Sequence, residues 1–124
     1  MLAISRDTIL TSNMRLHWRP EADRIRSIRA MAAVMARHQR LAKMQAATCA
    51  VEVKWPALKR TRDAHNLQPT VKAALDGIIG DYGLLPSDSD QHLKAVTFTA
   101  SDEHTTLPGI AALLTLTFTP LGDS

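Results

Sequence analysis

Between residues 48 and 55 the chain alternates strictly, with Cys49, Val51, Val53 and Trp55 set against Thr48, Ala50, Glu52 and Lys54. A period of two marks a strand with one buried face, and Pro56, which has no N–H to give a ladder, closes it. The same period returns over 111–119, where Ala112, Leu114, Leu116 and Phe118 alternate with Thr115, Thr117 and Thr119. Two further strands are predicted over 2–10 and 92–99, the latter resting on the β-formers Val96 and Phe98.

Elsewhere the period lengthens to that of a helix. Pro20 suits a first turn, with Glu21 and Asp23 near its positive end, and the helix is predicted to run to about Lys43. At about 100° per residue, Ile28, Met31, Met35 and Ala42 share one face, while Arg26, Arg29, Arg37 and Arg40 cluster on the opposite one. A second helix is predicted from Leu67, with Asn66 as N-cap and Pro69 confined to the first turn. Its stripe is Leu67, Val71, Leu75, Ile78 and Ile79, and Gly80 and Gly83 end it. A polar loop from Ala100 to Gly109 leads to the last strand. With no repeat, low-complexity tract or linker, this succession predicts one domain over 1–124. Its class is α/β (α+β), a small mixed sheet packed by two main helices.

A chain of 124 residues, 45% hydrophobic and 22% charged, is ordinary for a single globular domain with a modest core. Its one cysteine, Cys49, rules out an internal disulfide and sits on the apolar side of its strand, where it reads as a small core residue. No apolar run approaches the roughly 18 residues needed to span a bilayer, and the N-terminus lacks the series of a secretory signal. A cytoplasmic protein without a membrane partner is therefore expected.

The net charge of +3 is unevenly spread. Residues 1–62 carry 13 Lys/Arg against 4 Asp/Glu, a balance of +9, while residues 63–124 carry 2 Lys against 8 Asp/Glu, a balance of −6. Such asymmetry accompanies nucleic-acid contact, and it fits a solvated basic helix surface equally well.

Chemistry concentrates between Arg62 and Asp90. Asp63 stands beside Lys59, Arg60 and Arg62 and just before a helix, and both features favour its ionised form. A carboxylate so placed suits Mg²⁺, or equally a salt bridge with Arg60 or Arg62. His65, two residues on, suits Mn²⁺ better than Mg²⁺, and it is also the kind of residue found in any polar loop. Lys72 and Asp76, four apart, share a helix face. Asp88 and Asp90 follow in Pro86-Ser87-Asp88-Ser89-Asp90, a composition that serves cation binding or an ordinary turn.

Read together, Asp63-Ala64-His65-Asn66, then Lys72-Ala73-Ala74-Leu75-Asp76, then Ser87-Asp88 resemble the phage RusA-like Holliday-junction endonucleases. The pattern of that family is Asp-x-Asp-Asn, a helix with Lys-x-x-x-Asp, and a paired Asp-Asp. His65 stands at its second aspartate and Ser87 at the first of the pair. The segment Asn13-Met14-Arg15-Leu16-His17-Trp18 is similar to the family's N-terminal Asn-x-x-x-His-Trp element.

The resemblance implies a homodimeric, Mg²⁺-dependent endodeoxyribonuclease, with Mn²⁺ as a second possible ion, that nicks four-way DNA junctions. Asp63, Lys72 and Asp88 are then catalytic, and Asp63, His65, Asp88 and Asp90 the metal donors. Asn13, Arg15, His17, Arg19, Lys59, Arg60, Arg62 and Asn66 would contact DNA, and Trp18 either stacks at the branch or anchors the first helix in the core. Two alternatives stand beside it: a junction or DNA binder of the same fold without cleavage, and an interaction protein with no DNA role.

Overall fold

In the computed structural model, which describes residues 1–12, 14, 18–57 and 63–122, the strands are β1 (Leu2–Ser5), β2 (Ala47–Lys54), β3 (Leu93–Ala100) and β4 (Ile110–Pro120). They form one mixed sheet in the order β1, β4, β2, β3, with β4 antiparallel to both neighbours and β3 parallel to β2. The alternation read from residues 48–55 is realised: Cys49, Val51 and Val53 are buried, facing Phe118, Leu116 and Leu114 of β4 in register. Parallel strands cannot be joined by a tight turn. The chain therefore crosses from β2 to β3 through a helical layer, and that crossover carries the residues of interest.

Two helices pack on the sheet: α1 (Trp18–Gln39) and α2 (Gln68–Leu75), the latter preceded by a 3-10 turn (Ala64–Leu67) and continued by a wider π turn (Asp76–Asp81). The expected stripe of Leu67, Val71, Leu75, Ile78 and Ile79 is wholly buried. The inward face of α1 differs from expectation. Ile28 is joined there by Ala32, Ala33 and Ala36, Met31 and Met35 flank them, and Ala42 is exposed beyond the helix end. Small residues are needed because the helices nearly touch. A Cβ added at Gly77 would lie 2.2 Å from the Arg29 carbonyl oxygen, so only glycine admits this approach.

Helix boundaries also moved, for identifiable reasons. The first helix ends at Gln39 rather than near Lys43 because Arg40 turns left-handed (φ 52°). Arg40 N then donates to Arg37 O and Leu41 N to Ala36 O, the paired bonds of a Schellman cap. Ahead of the second helix the capping side chain is that of Asp63, on the 3-10 turn, while α2 itself begins after Leu67 with no side-chain cap from Asn66. The Asp63 Oδ1 accepts the His65 N–H at 3.0 Å, so helical backbone starts earlier, as a 3-10 turn.

A buried hydroxyl ties the segment after β1 to α2. Thr70 Oγ1 accepts the Leu10 N–H at 2.9 Å and donates to Leu10 O at 2.6 Å, while Arg24 Nη1 donates to Ile9 O. Among the described residues no helix is long and apolar enough to cross a membrane.

Candidate functional site

The crossover helix and the acidic loop that follows it meet at one ammonium group. Lys72 lies on the outer side of α2, between the buried Val71 and Ala73. Its Nζ donates to Asp76 Oδ1 at 2.9 Å and to Asp88 Oδ2 at 2.7 Å. Asp76 comes into reach through helix geometry alone, one turn further on. Asp88 comes into reach because the loop is pinned on both sides. Leu84 and Leu85 are buried ahead of it, and after it Ser89 O accepts the N–H groups of His92 and Leu93, closing a turn into β3. Within the loop Ser87 Oγ accepts the Ser89 N–H at 3.2 Å and pairs with its hydroxyl at 2.9 Å.

The charges respond to this geometry. The bond to Asp88, then that to Asp76, raises the pKa of Lys72, and the Lys72 bond holds the Asp88 carboxyl below the usual carboxylate range. Both groups are therefore ionised at neutral pH. With side chains 63% and 45% exposed, the pair is screened and contributes little stability. It remains open to a ligand.

At the other end of the helical stretch, Asp63 and His65 form a second small unit. The His65 Nδ1 lies 3.4 Å from Asp63 Oδ1, and its ring leans on Phe98 of β3 with centroids 5.3 Å apart. Ser12 N donates to Asn66 O at 2.9 Å, bringing the N-terminal polar segment beside this turn although 54 positions separate the two residues. Asn13, Arg15, His17, Lys59, Arg60 and Arg62 lie outside the described residues, as do the side chains of Trp18 and Arg19.

The structure thus joins Lys72 with Asp88 and Asp63 with His65, while Asp90 is exposed in the turn before β3. Among the described residues no group of three or more His, Cys, Asp or Glu is gathered closely enough to hold a metal ion, so Asp63, His65, Asp88 and Asp90 are not brought into one such group. Their carboxylate oxygens are of the kind Mg²⁺ takes.

On α1, the face expected to present four arginines is partly committed to acids. Arg26 bonds Asp23, and Arg29 bonds Asp81 through two nitrogens, Nε to Oδ2 at 2.6 Å and Nη2 to Oδ1 at 2.9 Å. The Arg29 bond lowers the pKa of Asp81. Arg29 and Asp81 were not foreseen as partners, since 52 positions separate them and no local spacing links them. Together with Asp76, Gly80 and the loop from Leu85 to Asp88, Arg29 lines a cleft of about 560 Å³. Compared with models of known families and with curated proteins, the chain matches none.

Proposed function

We propose that this chain is a metal-dependent endodeoxyribonuclease that binds and nicks four-way DNA junctions, acting as a homodimer whose two-fold axis matches the symmetry of the branch. The observation that carries the reading is the contact between Lys72 and Asp88, two residues of the one family-like pattern, which lie 2.7 Å apart. An anionic oxygen and a fixed ammonium side by side are what phosphodiester hydrolysis asks of a protein. The Asp88 carboxylate stays charged beside the ammonium, and the Lys72 charge offsets the negative charge that grows on the phosphate. The described residues gather no three of Asp63, His65, Asp88 and Asp90, so on this reading Mg²⁺ or Mn²⁺ would be held by one or two of these side chains, completed by water and the substrate phosphate. When bound, that ion lowers the pKa of a water and polarises the phosphate. The basic N-terminal half, at +9 over residues 1–62, supplies a salt-dependent grip that does not read sequence.

The test is nicking of a synthetic four-way junction in Mg²⁺ by the wild type and by Asp63→Asn, Asp88→Asn and Lys72→Met. Each variant is expected to lose about a hundredfold or more in rate. Unchanged cleavage by both Asp variants refutes the assigned site. Comparing Mn²⁺ with Mg²⁺ probes His65, since an imidazole ligand favours Mn²⁺.

A second reading, a junction binder without cleavage, draws on the engagement of Lys72 by two carboxylates and of His65 by Asp63 and Phe98. Tight binding without nicking, in Mg²⁺ and Mn²⁺ alike, selects it. An interaction protein with no DNA role would show partner affinity that ignores salt.

A further inference from the structure

We propose that the outer edge of β3 pairs antiparallel with β3 of a second copy of this chain, joining the two sheets into one about a two-fold axis at Thr97 or Phe98. This deepens the homodimer reading by naming its surface, and it rests on that reading for the second copy. β3 is an outermost strand of the sheet, and its ladder with β2 runs without a register shift from Ala95 to Ala100. Over those residues the edge reads Ala-Val-Thr-Phe-Thr-Ala, with no proline and no charge. In a parallel ladder alternate residues turn their N–H and C=O groups away from the neighbouring strand. Among the described residues, no hydrogen bond from outside the sheet reaches this stretch. Such an edge is a template for another strand. The opposite edge is guarded, because β1 has only four residues and a register shift between Ile4 and Ser5.

Symmetry and charge select the occupant. A strand paired with its own copy in one sheet sets each face opposite the same face, so the axis passes through a residue rather than between two. An axis at Thr97 places Val96 beside the partner's Phe98, and both of these side chains are half-buried before pairing. An axis at Phe98 places Thr97 beside the partner's Thr99. Lys94 stands at one end of the strand and Asp102 just past the other, and neither makes an ion pair among the described residues, whereas Glu103 is held by Lys54 at 3.1 Å. Antiparallel pairing carries each Lys94 to the partner's Asp102, directly opposite it or one step along the same face. Parallel pairing would set Lys94 beside its own copy. Lys94 also bulges from the ladder with β2, and a bulged lysine deters strands at large; an acid opposite it makes a second copy the favoured guest. Because His65 leans on Phe98, the two Asp63–His65 units then share one face of the joined sheet, on either side of the axis.

The experiment is sedimentation equilibrium of the whole chain at about 1 to 100 μM. The wild type is expected to be a dimer. Thr97 and Thr99 are exposed, so the fold accepts lysine at both, and an unchanged melting transition of the monomer confirms it. Thr97→Lys combined with Thr99→Lys sets lysine against lysine at either axis position, and is expected to weaken the dimer by about tenfold or more. Lys94→Glu and Asp102→Lys are each expected to weaken it by about threefold to tenfold, and the two together to restore it to within about twofold. A dimer that none of these variants disturbs overturns the β3 edge and leaves the homodimer reading to another surface. Failure of the charge swap to restore pairing overturns the antiparallel arrangement. A wild type that stays monomeric overturns both the edge and the homodimer, and nicking of a junction by that monomer would keep the nuclease chemistry.

Discussion

The Nζ of Lys72 sits 2.7 Å from Oδ2 of Asp88, 16 positions further along the chain. The contact joins the outer side of the crossover helix to the loop that enters β3, and the same nitrogen also holds Asp76 at 2.9 Å. The lysine and Asp88 hold each other in their charged forms, and they do so at the surface, where water and ligands reach them.

That relationship sets a pH dependence. The Lys72 bond lowers the pKa of Asp88, so its contribution to stability is present above the unfolded carboxyl value of about 3.9 and is lost as pH falls through the lower folded value. Lys72 is raised, first by Asp88 and then by Asp76, so its contribution is present below about 10.4 and is lost as pH climbs through the folded value. Lys72→Met is expected to be less stable by about 0.5 kcal/mol between roughly pH 5 and 9. The gap should close as pH falls through the lowered folded value of Asp88, where that carboxyl takes up its proton. Urea unfolding across pH measures it, and a gap of equal size at both ends would deny the ion-pair origin.

Thr70 is wholly buried and bonds both the N–H and the carbonyl of Leu10. Thr70→Val keeps the shape and removes the hydroxyl, leaving two buried backbone groups without it. A loss of about 2 to 3 kcal/mol is expected in chemical denaturation. A loss below about 0.5 kcal/mol would mean that Leu10 finds other partners.

Arg40 occupies the left-handed position of the Schellman cap at φ 52°, where a side chain is unfavourable and glycine is at ease. Arg40→Gly should stabilise the fold by about 0.5 to 1 kcal/mol, seen as a rise in melting temperature. A fall would show that the arginine side chain supplies more than the backbone strain costs.

Burial pushes the Cys49 thiol up to about 12, so at neutral pH it is not a thiolate and is inert toward alkylation. Iodoacetamide at about pH 8 should modify it at least a hundredfold more slowly in native protein than in denaturant. Mass spectrometry reads the difference, and comparable rates would contradict its place in the core.

Much of the fold was readable because it follows from local periods. The alternation at Cys49, Val51 and Val53 and the stripe from Leu67 to Ile79 each encode their buried face in consecutive residues, and both were realised. The Lys72–Asp76 pair was readable for the same reason, since four residues make about one helical turn. Other features depend on chain segments that no short window contains. The need for glycine at position 77 arises from how the Arg29 turn of α1 meets the crossover helix. So does the cleft: Arg29, held by Asp81 from 52 positions away, closes one side of it, and Leu84 and Leu85, by sinking into the core, carry Asp88 up to Lys72. Residue spacing along the chain dictates which side of a helix or strand is apolar. Which polar groups then face each other is decided by packing, because burial of the apolar sides dominates the free energy and the polar groups must pair wherever that packing leaves them.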